Sequence, residues 1–95
     1  NLNTRDLLDM FAEDHNSFLM VCGKGTEQRL TGDCETASWK EFTVGVADRG
    51  ASIRIPKAVA EAGKGYFEDR RPSANCDPYL VLTAIISSMA KVPAV

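Results

Sequence analysis

The stretch Phe42-Thr-Val-Gly-Val-Ala-Asp-Arg-Gly-Ala-Ser-Ile-Arg-Ile-Pro56 holds two β-prone runs, Phe42 to Ala47 and Ala51 to Ile55, separated by Asp48, Arg49 and Gly50. Those three residues have the chemistry of a tight connection, so the pattern predicts a hairpin that Pro56 closes off. Side chains alternate along a strand, which puts Ile53 and Ile55 on one face and Ser52 with Arg54 on the other. Lys57 to Gly65 reads as a polar connection rich in alanine and glycine. A third extended stretch, Tyr66 to Arg70, follows, with Tyr66, Glu68 and Arg70 sharing one face.

Outward from these strands, both ends of the chain read as helix. Asn3 or Thr4 can cap a helix from about position 4 to about 21, whose apolar residues Leu7, Leu8, Phe11, Ala12, Phe18, Leu19 and Cys22 recur at helical spacing. Gly23 and Gly25 stop it, and positions 23 to 36 read as a loop. His15 falls on the apolar face and, with no second histidine in the chain, reads as a packed core residue rather than a ligand. Asp77 caps a final helix with Pro78 in its first turn, where a missing N–H costs nothing. That helix runs to about Lys91. It is apolar at Leu80, Val81, Leu82, Ala84, Ile85, Ile86 and Met89, so it is expected to be covered on more than one side. The fold class expected is α+β: antiparallel strands, a hairpin plus a third strand, flanked by an N-terminal and a C-terminal helix.

Length and composition bound the function. Ninety-five residues with 44% hydrophobic and 25% charged residues make one globular unit with a modest core, and exclude disorder, coiled coil and collagen-like repeats. The net charge of -2 argues against a nucleic-acid footprint over the whole chain. No apolar run approaches the eighteen or so residues of a membrane span. Cys22, Cys34 and Cys76 contain no CxxC pair, and with one histidine they support neither a disulfide framework nor a zinc site; a reducing, cytoplasmic setting is the simplest expectation. The chain starts at Asn1, which is read as the start of a piece whose upstream part is missing.

The chemical signal lies in the arginines. Five of six, Arg29, Arg49, Arg54, Arg70 and Arg71, fall between positions 29 and 71. Clustered guanidinium groups suit bidentate recognition of carboxylate or phosphate. On β-prone segments they need solvent or anionic partners, because an unpaired buried charge costs several kcal/mol. Converging arginines could neutralise a triphosphate and a carboxylate, and a carboxylate among them, Glu68, could hold a divalent metal. The competing reading is a salt-bridge lattice among Glu68, Asp69, Arg70 and Arg71. The two GKG tripeptides, Gly23 to Gly25 and Gly63 to Gly65, do not complete GxxxxGK[ST], so a P-loop is excluded.

Three motifs then carry a resemblance: Arg29-Leu-Thr-Gly-Asp-Cys-Glu-Thr36, Gly45-Val-Ala-Asp-Arg-Gly-Ala-Ser-Ile-Arg-Ile-Pro56 and Gly63-Lys-Gly-Tyr-Phe-Glu-Asp-Arg-Arg-Pro-Ser-Ala-Asn-Cys-Asp-Pro-Tyr79. In unbroken order over about positions 15 to 90, they resemble the glutamine synthetases of the eukaryotic-like second type. The resemblance implies that residues 1–95 are a carboxy-terminal segment of the catalytic domain, lacking the β-grasp domain and the upstream strands with further metal carboxylates. It implies ATP-dependent ligation of ammonia to glutamate through γ-glutamyl phosphate, with ATP, glutamate and ammonium as substrates, Mg2+ or Mn2+ as cofactor, and assembly into a homo-oligomeric ring.

By the same resemblance Arg29 is similar to the arginine that binds glutamate, and Glu35 to the flap carboxylate that covers the intermediate and helps deprotonate ammonium. Arg49 and Arg54 are similar to the arginines that hold ATP phosphates and the transferred phosphoryl group. Tyr66 and Phe67 resemble residues beside the nucleotide, Glu68 a metal ligand, and Arg70 the residue that contacts the glutamyl carboxylate and the transferring phosphate. Cys34 stands where histidine is common, Val44 where an aromatic is usual and Asp48 where asparagine is frequent; Asp48 could compete with phosphate for Arg49. One metal carboxylate cannot hold two or three ions, so the chain alone is expected to be inactive. The alternative is a non-catalytic remnant that binds nucleotide or docks onto full-length subunits.

Overall fold

A computed structural model describes residues 4–23, 25–33 and 38–92. The order is α1 (Thr4–Glu13), α2 (His15–Leu19), α3 (Thr26–Arg29), β1 (Val44–Val46), β2 (Ile53–Ile55), α4 (Lys57–Ala62), β3 (Glu68–Asp69) and α5 (Pro78–Ala90). The three strands form one sheet in the order β1-β2-β3, so the α+β class holds. Among the described residues no helix is long and apolar enough to cross a membrane.

The expected N-terminal helix is two helices. Asp14 leaves helical geometry at φ -89°, ψ 6°, and its carboxylate accepts from Ser88 Oγ at 2.6 Å and from Lys91 Nζ at 3.1 Å. That tether to α5 holds the break and turns α2 so that His15 and Phe18 are both buried, while Ala12 stays exposed. Asn3, the other expected cap, lies outside the described residues. Past α2, Gly23 has φ 111°, and a Cβ there would collide with Ser73 Oγ; only glycine lets the chain pass residues 73–76 so closely. The loop expected over 23 to 36 contains the short α3, which begins after Gly25 in the left-handed region.

β1 and β2 are parallel, with Val44, Gly45 and Val46 opposite Ile53, Arg54 and Ile55, which corrects the expected hairpin. The reason is the clamp at their start: Thr43 N donates to Ser52 Oγ and Ser52 N donates to Thr43 Oγ1, each at 3.1 Å. This places Ile53 beside Val44, so the chain over 47–52 must turn back before the second strand begins. Ala47 takes φ 53°, Asp48 Oδ1 accepts from Gly50 N at 2.8 Å, and Ala51 and Ser52 run back through the interior, each 1% exposed. Parallel neighbours ordinarily need a long crossover; three-residue strands let this loop suffice. β3 pairs antiparallel to β2 as expected, with Ile53 opposite Asp69 and Arg54 opposite Glu68.

Residues 57–62, expected as a connection, are α4. Pro56 precedes its first turn with φ -58° and ψ 144°, and Gly63 ends it at φ 72°, a left-handed position glycine favours. α5 matches expectation at its start: Asp77 Oδ1 accepts from Tyr79 N at 2.9 Å, with Pro78 at the first helical position. Its cover within this chain is one-sided, the rest being expected from an assembly larger than ninety-five residues. Val81 packs with Phe18 and Cys22 in the core, but Tyr79, Leu80, Leu82 and Ile86 are exposed, so α5 is covered on one side only.

Candidate functional site

Alternation across β2 and β3 sorts the charged residues into two sets. Ile53 and its cross-strand neighbour Asp69 face inward, and Arg71, two residues on, faces the same way. Arg54 and Glu68 face outward with Arg70. The sequence placed Glu68 and Arg70 on one face, and the structure adds Arg54 to it.

On the outer face the register brings Arg54 and Glu68 directly opposite each other. Arg54 Nε donates to Glu68 Oε2 at 2.6 Å and Nη2 donates to Oε1 at 3.0 Å, a two-pronged pair with both side chains about one third exposed. The hydrogen bonds from Arg54 hold the Glu68 carboxyl below the usual carboxylate range, with the field of Arg70 a smaller contribution. Those to Glu68 raise Arg54, and Tyr66 acts on it as well. Arg54, Glu68 and Arg70 therefore form one charged cluster, with Tyr66 beside it. Arg70 N also donates to Ser52 O at 2.8 Å, fixing the end of β3.

Tyr66 and Phe67 line a cleft of about 250 Å³ together with Ile55, Val59, Lys64 and Gly65, between β2 and α4. Tyr66 is exposed, whereas Phe67 is half-buried and meets Phe11 edge to face at 6.1 Å. Arg49 sits at the exposed tip of the 47–50 bend. Its neighbour Asp48 engages the Gly50 amide and packs over Gly45, where a Cβ would fall 2.6 Å from Asp48 Cβ. Asp48 thus serves the turn. Cys34 and Glu35, the expected flap carboxylate, lie outside the described residues.

The inner face holds a buried ion pair, whose members the sequence offered only as part of a salt-bridge lattice. Arg71 is 1% exposed. Its Nε and Nη2 donate to Asp69 at 2.9 and 2.7 Å, and its guanidinium lies 3.9 Å from the Phe18 ring centroid and 5.0 Å from that of Phe42. Arg29, on α3, donates through Nη2 to the Arg71 carbonyl, while its Nε is buried without a partner. The salt-bridge lattice considered from the sequence is real in part: Asp69 pairs with Arg71, and Glu68 pairs across strands with Arg54. Parity was the available signal, since Asp69 and Arg71 share the register of core-facing Ile53.

A divalent cation could take one ligand here, Glu68, once Arg54 lets it go. Asp69 is committed to Arg71, and no group of three or more His, Cys, Asp or Glu that could hold a metal occurs among the described residues. The donor set fits a single contribution to a metal site whose other ligands lie elsewhere. Arg54, Arg70 and the aromatic cleft beside them suit a phosphorylated ligand with a flat ring.

Comparison with known proteins agrees with the motifs. The family model described as "Glutamine synthetase, catalytic domain" matches residues 25–91. The chain is similar to the glutamine synthetase of Kluyveromyces lactis, 55% identical over 76 residues, which is 80% of this chain and 20% of that protein. It is 51% identical over 85 residues to the glutamine synthetase of Xenopus laevis, covering 85% of this chain and 22% of that one. With glutamine synthetase 2 cytoplasmic of Drosophila melanogaster the identity is 58% over 67 residues, 70% of this chain and 18% of the relative. The chain spans about one fifth of the length of the curated relatives it matches.

Proposed function

The chain belongs to the glutamine synthetase family, matching its catalytic domain, and from that premise we propose that it supplies the phosphate- and glutamate-binding side of an ATP-dependent glutamate-ammonia ligase. The observation that carries the proposal is the outward cluster of Arg54, Glu68 and Arg70 beside the Tyr66 and Phe67 cleft. In the reaction the γ-carboxylate of glutamate takes the terminal phosphoryl group of ATP, releasing ADP, and ammonia then displaces phosphate from the γ-glutamyl phosphate. Such chemistry needs positioning and charge neutralisation more than covalent help.

The Arg54–Glu68 pair is a mutually neutralised resting arrangement. When a nucleotide arrives, Arg54 exchanges carboxylate for phosphate and Glu68 is free to meet a cation, so neither charge is left alone. Mg2+ or Mn2+, held by Glu68 and by ligands outside this chain, would supply neutralisation of the nucleotide phosphates. Arg49, on the exposed bend, reaches the phosphates, Arg70 contacts the glutamyl carboxylate and the phosphoryl group in transfer, and Arg29 binds glutamate. Glu35 covers the intermediate and accepts the proton that ammonium gives up. The segment acts as the carboxy-terminal part of the catalytic domain, inside a homo-oligomeric ring in the cytoplasm.

The test is a graft. Replacing the matching segment of the Kluyveromyces lactis enzyme with this chain supplies the missing four fifths, and the hybrid is expected to form glutamine from ATP, glutamate and ammonium, whereas residues 1–95 alone form none. A hybrid that assembles but makes no glutamine contradicts the proposal and favours a non-catalytic nucleotide-binding or subunit-docking remnant.

A further inference from the structure

His15 uses both ring nitrogens. Nδ1 lies 3.1 Å from Arg71 Nη1 and Nε2 lies 3.1 Å from the Trp39 carbonyl. A guanidinium can only donate and a carbonyl can only accept. The geometry therefore fixes the tautomer: Nδ1 accepts from Arg71, and Nε2 carries the hydrogen given to Trp39. The ring is 6% exposed and packs edge-on against Phe42 at 5.6 Å.

Trp39 N donates to Leu30 O at 2.9 Å and Thr31 bridges Ser38, so Trp39 sits at the Thr31–Ser38 bridge that follows α3. Arg71 directly follows Arg70, and its carbonyl receives Arg29. We propose that His15 is a positioning residue for the ligase site: in its neutral Nε2–H form it locks Arg71 to Trp39 beside the Thr31–Ser38 bridge, and through Arg71 it sets Arg29. The functional consequence rests on the reading of Arg29 as the glutamate-binding arginine; the positioning itself does not. A protonated imidazole would turn a second N–H toward the Arg71 guanidinium and break the lock. Burial pushes the His15 pKa down; the Trp39 carbonyl opposes this, and of the charges acting on the ring Arg71 lowers it and Asp69 raises it.

The experiment is 15N NMR on the full 95-residue chain. In the unsubstituted protein His15 shows the Nε2–H tautomer, the side-chain N–H signals of Arg29 and Arg71 are both observed, and acidification removes the two arginine signals together as His15 protonates, below the ordinary histidine midpoint. His15→Gln, which offers one donor and one acceptor, keeps both arginine signals, and His15→Phe loses both. Arginine signals that survive in H15F, or a His15 that titrates at its ordinary midpoint while they persist, would overturn the proposal. If H15F does not fold, the titration of the unsubstituted chain still decides. No substrate enters this measurement, so an inactive hybrid enzyme speaks against the ligase reading alone, and unchanged arginine signals against the positioning alone.

Discussion

Arg54 on β2 and Arg71 just past β3 are the same residue type and have opposite tasks, because one faces out and the other in. Arg71 has given up water almost completely, and Asp69, His15 and the Phe18 and Phe42 rings replace it. Removing such a group leaves Asp69 uncompensated, so Arg71→Met is expected to cost about 3–5 kcal/mol in denaturant unfolding. Arg54→Met, at a partly solvated pair, leaves the melting temperature nearly unchanged. Equal losses would mean that the two faces are not distinct. His15 adds a pH dependence with a definite sign. Its folded pKa is lowered, so below the unfolded value of about 6.5 the unfolded chain binds the proton first and stability falls as pH drops. Between pH 5 and 6.5 the unsubstituted chain should lose stability more steeply than His15→Gln, and parallel curves would contradict the buried neutral ring. Burial also pushes the Cys22 thiol up to about 11. Iodoacetamide should therefore spare Cys22 until the chain unfolds; labelling at native pH 7 would show that Cys22 is not packed against Phe18 and Val81.

At the scale of elements, the local signals with short reach were legible. Asp77 with Pro78 announced the start of α5, and the polarity of Glu68 and Arg70 announced a shared strand face. Asp77→Ala should cost about 1 kcal/mol by removing the cap from Tyr79 N, and no measurable loss would mean the cap is dispensable. The strand sense was not legible, because it depends on Thr43 and Ser52 exchanging side-chain and backbone hydrogen bonds across nine positions, while Asp48, Arg49 and Gly50 look like any tight turn. The break at Asp14 was hidden for the same reason: its cause is Ser88, 74 positions away. α4 was the avoidable miss, since Pro56 and Gly63 bracket it at the positions where helices start and stop. In the site, Glu68 and Arg70 came from alternation, but the pairing of Arg54 with Glu68 needed the register. Arg71 was legible as a partner in a salt-bridge lattice, but its burial was not, because a buried arginine runs against the usual placing of charge.

At the scale of the whole molecule, the accessible surface is 6276 Å², against about 5,300 Å² for a compact monomer of this mass. Part of the excess is apolar: Tyr79 is 81%, Leu80 53%, Leu82 55% and Ile86 62% exposed on one helix. An exposed apolar face of this extent is the kind that associates with other protein surface. The proposed role of Glu68 as metal carboxylate of a ligase site is tested most directly by glutamine formation in the Kluyveromyces lactis hybrid carrying Glu68→Ala. If Glu68 holds the metal, the hybrid assembles and its activity, present with Glu68, is abolished by E68A; near-normal glutamine formation by the E68A hybrid would contradict that role.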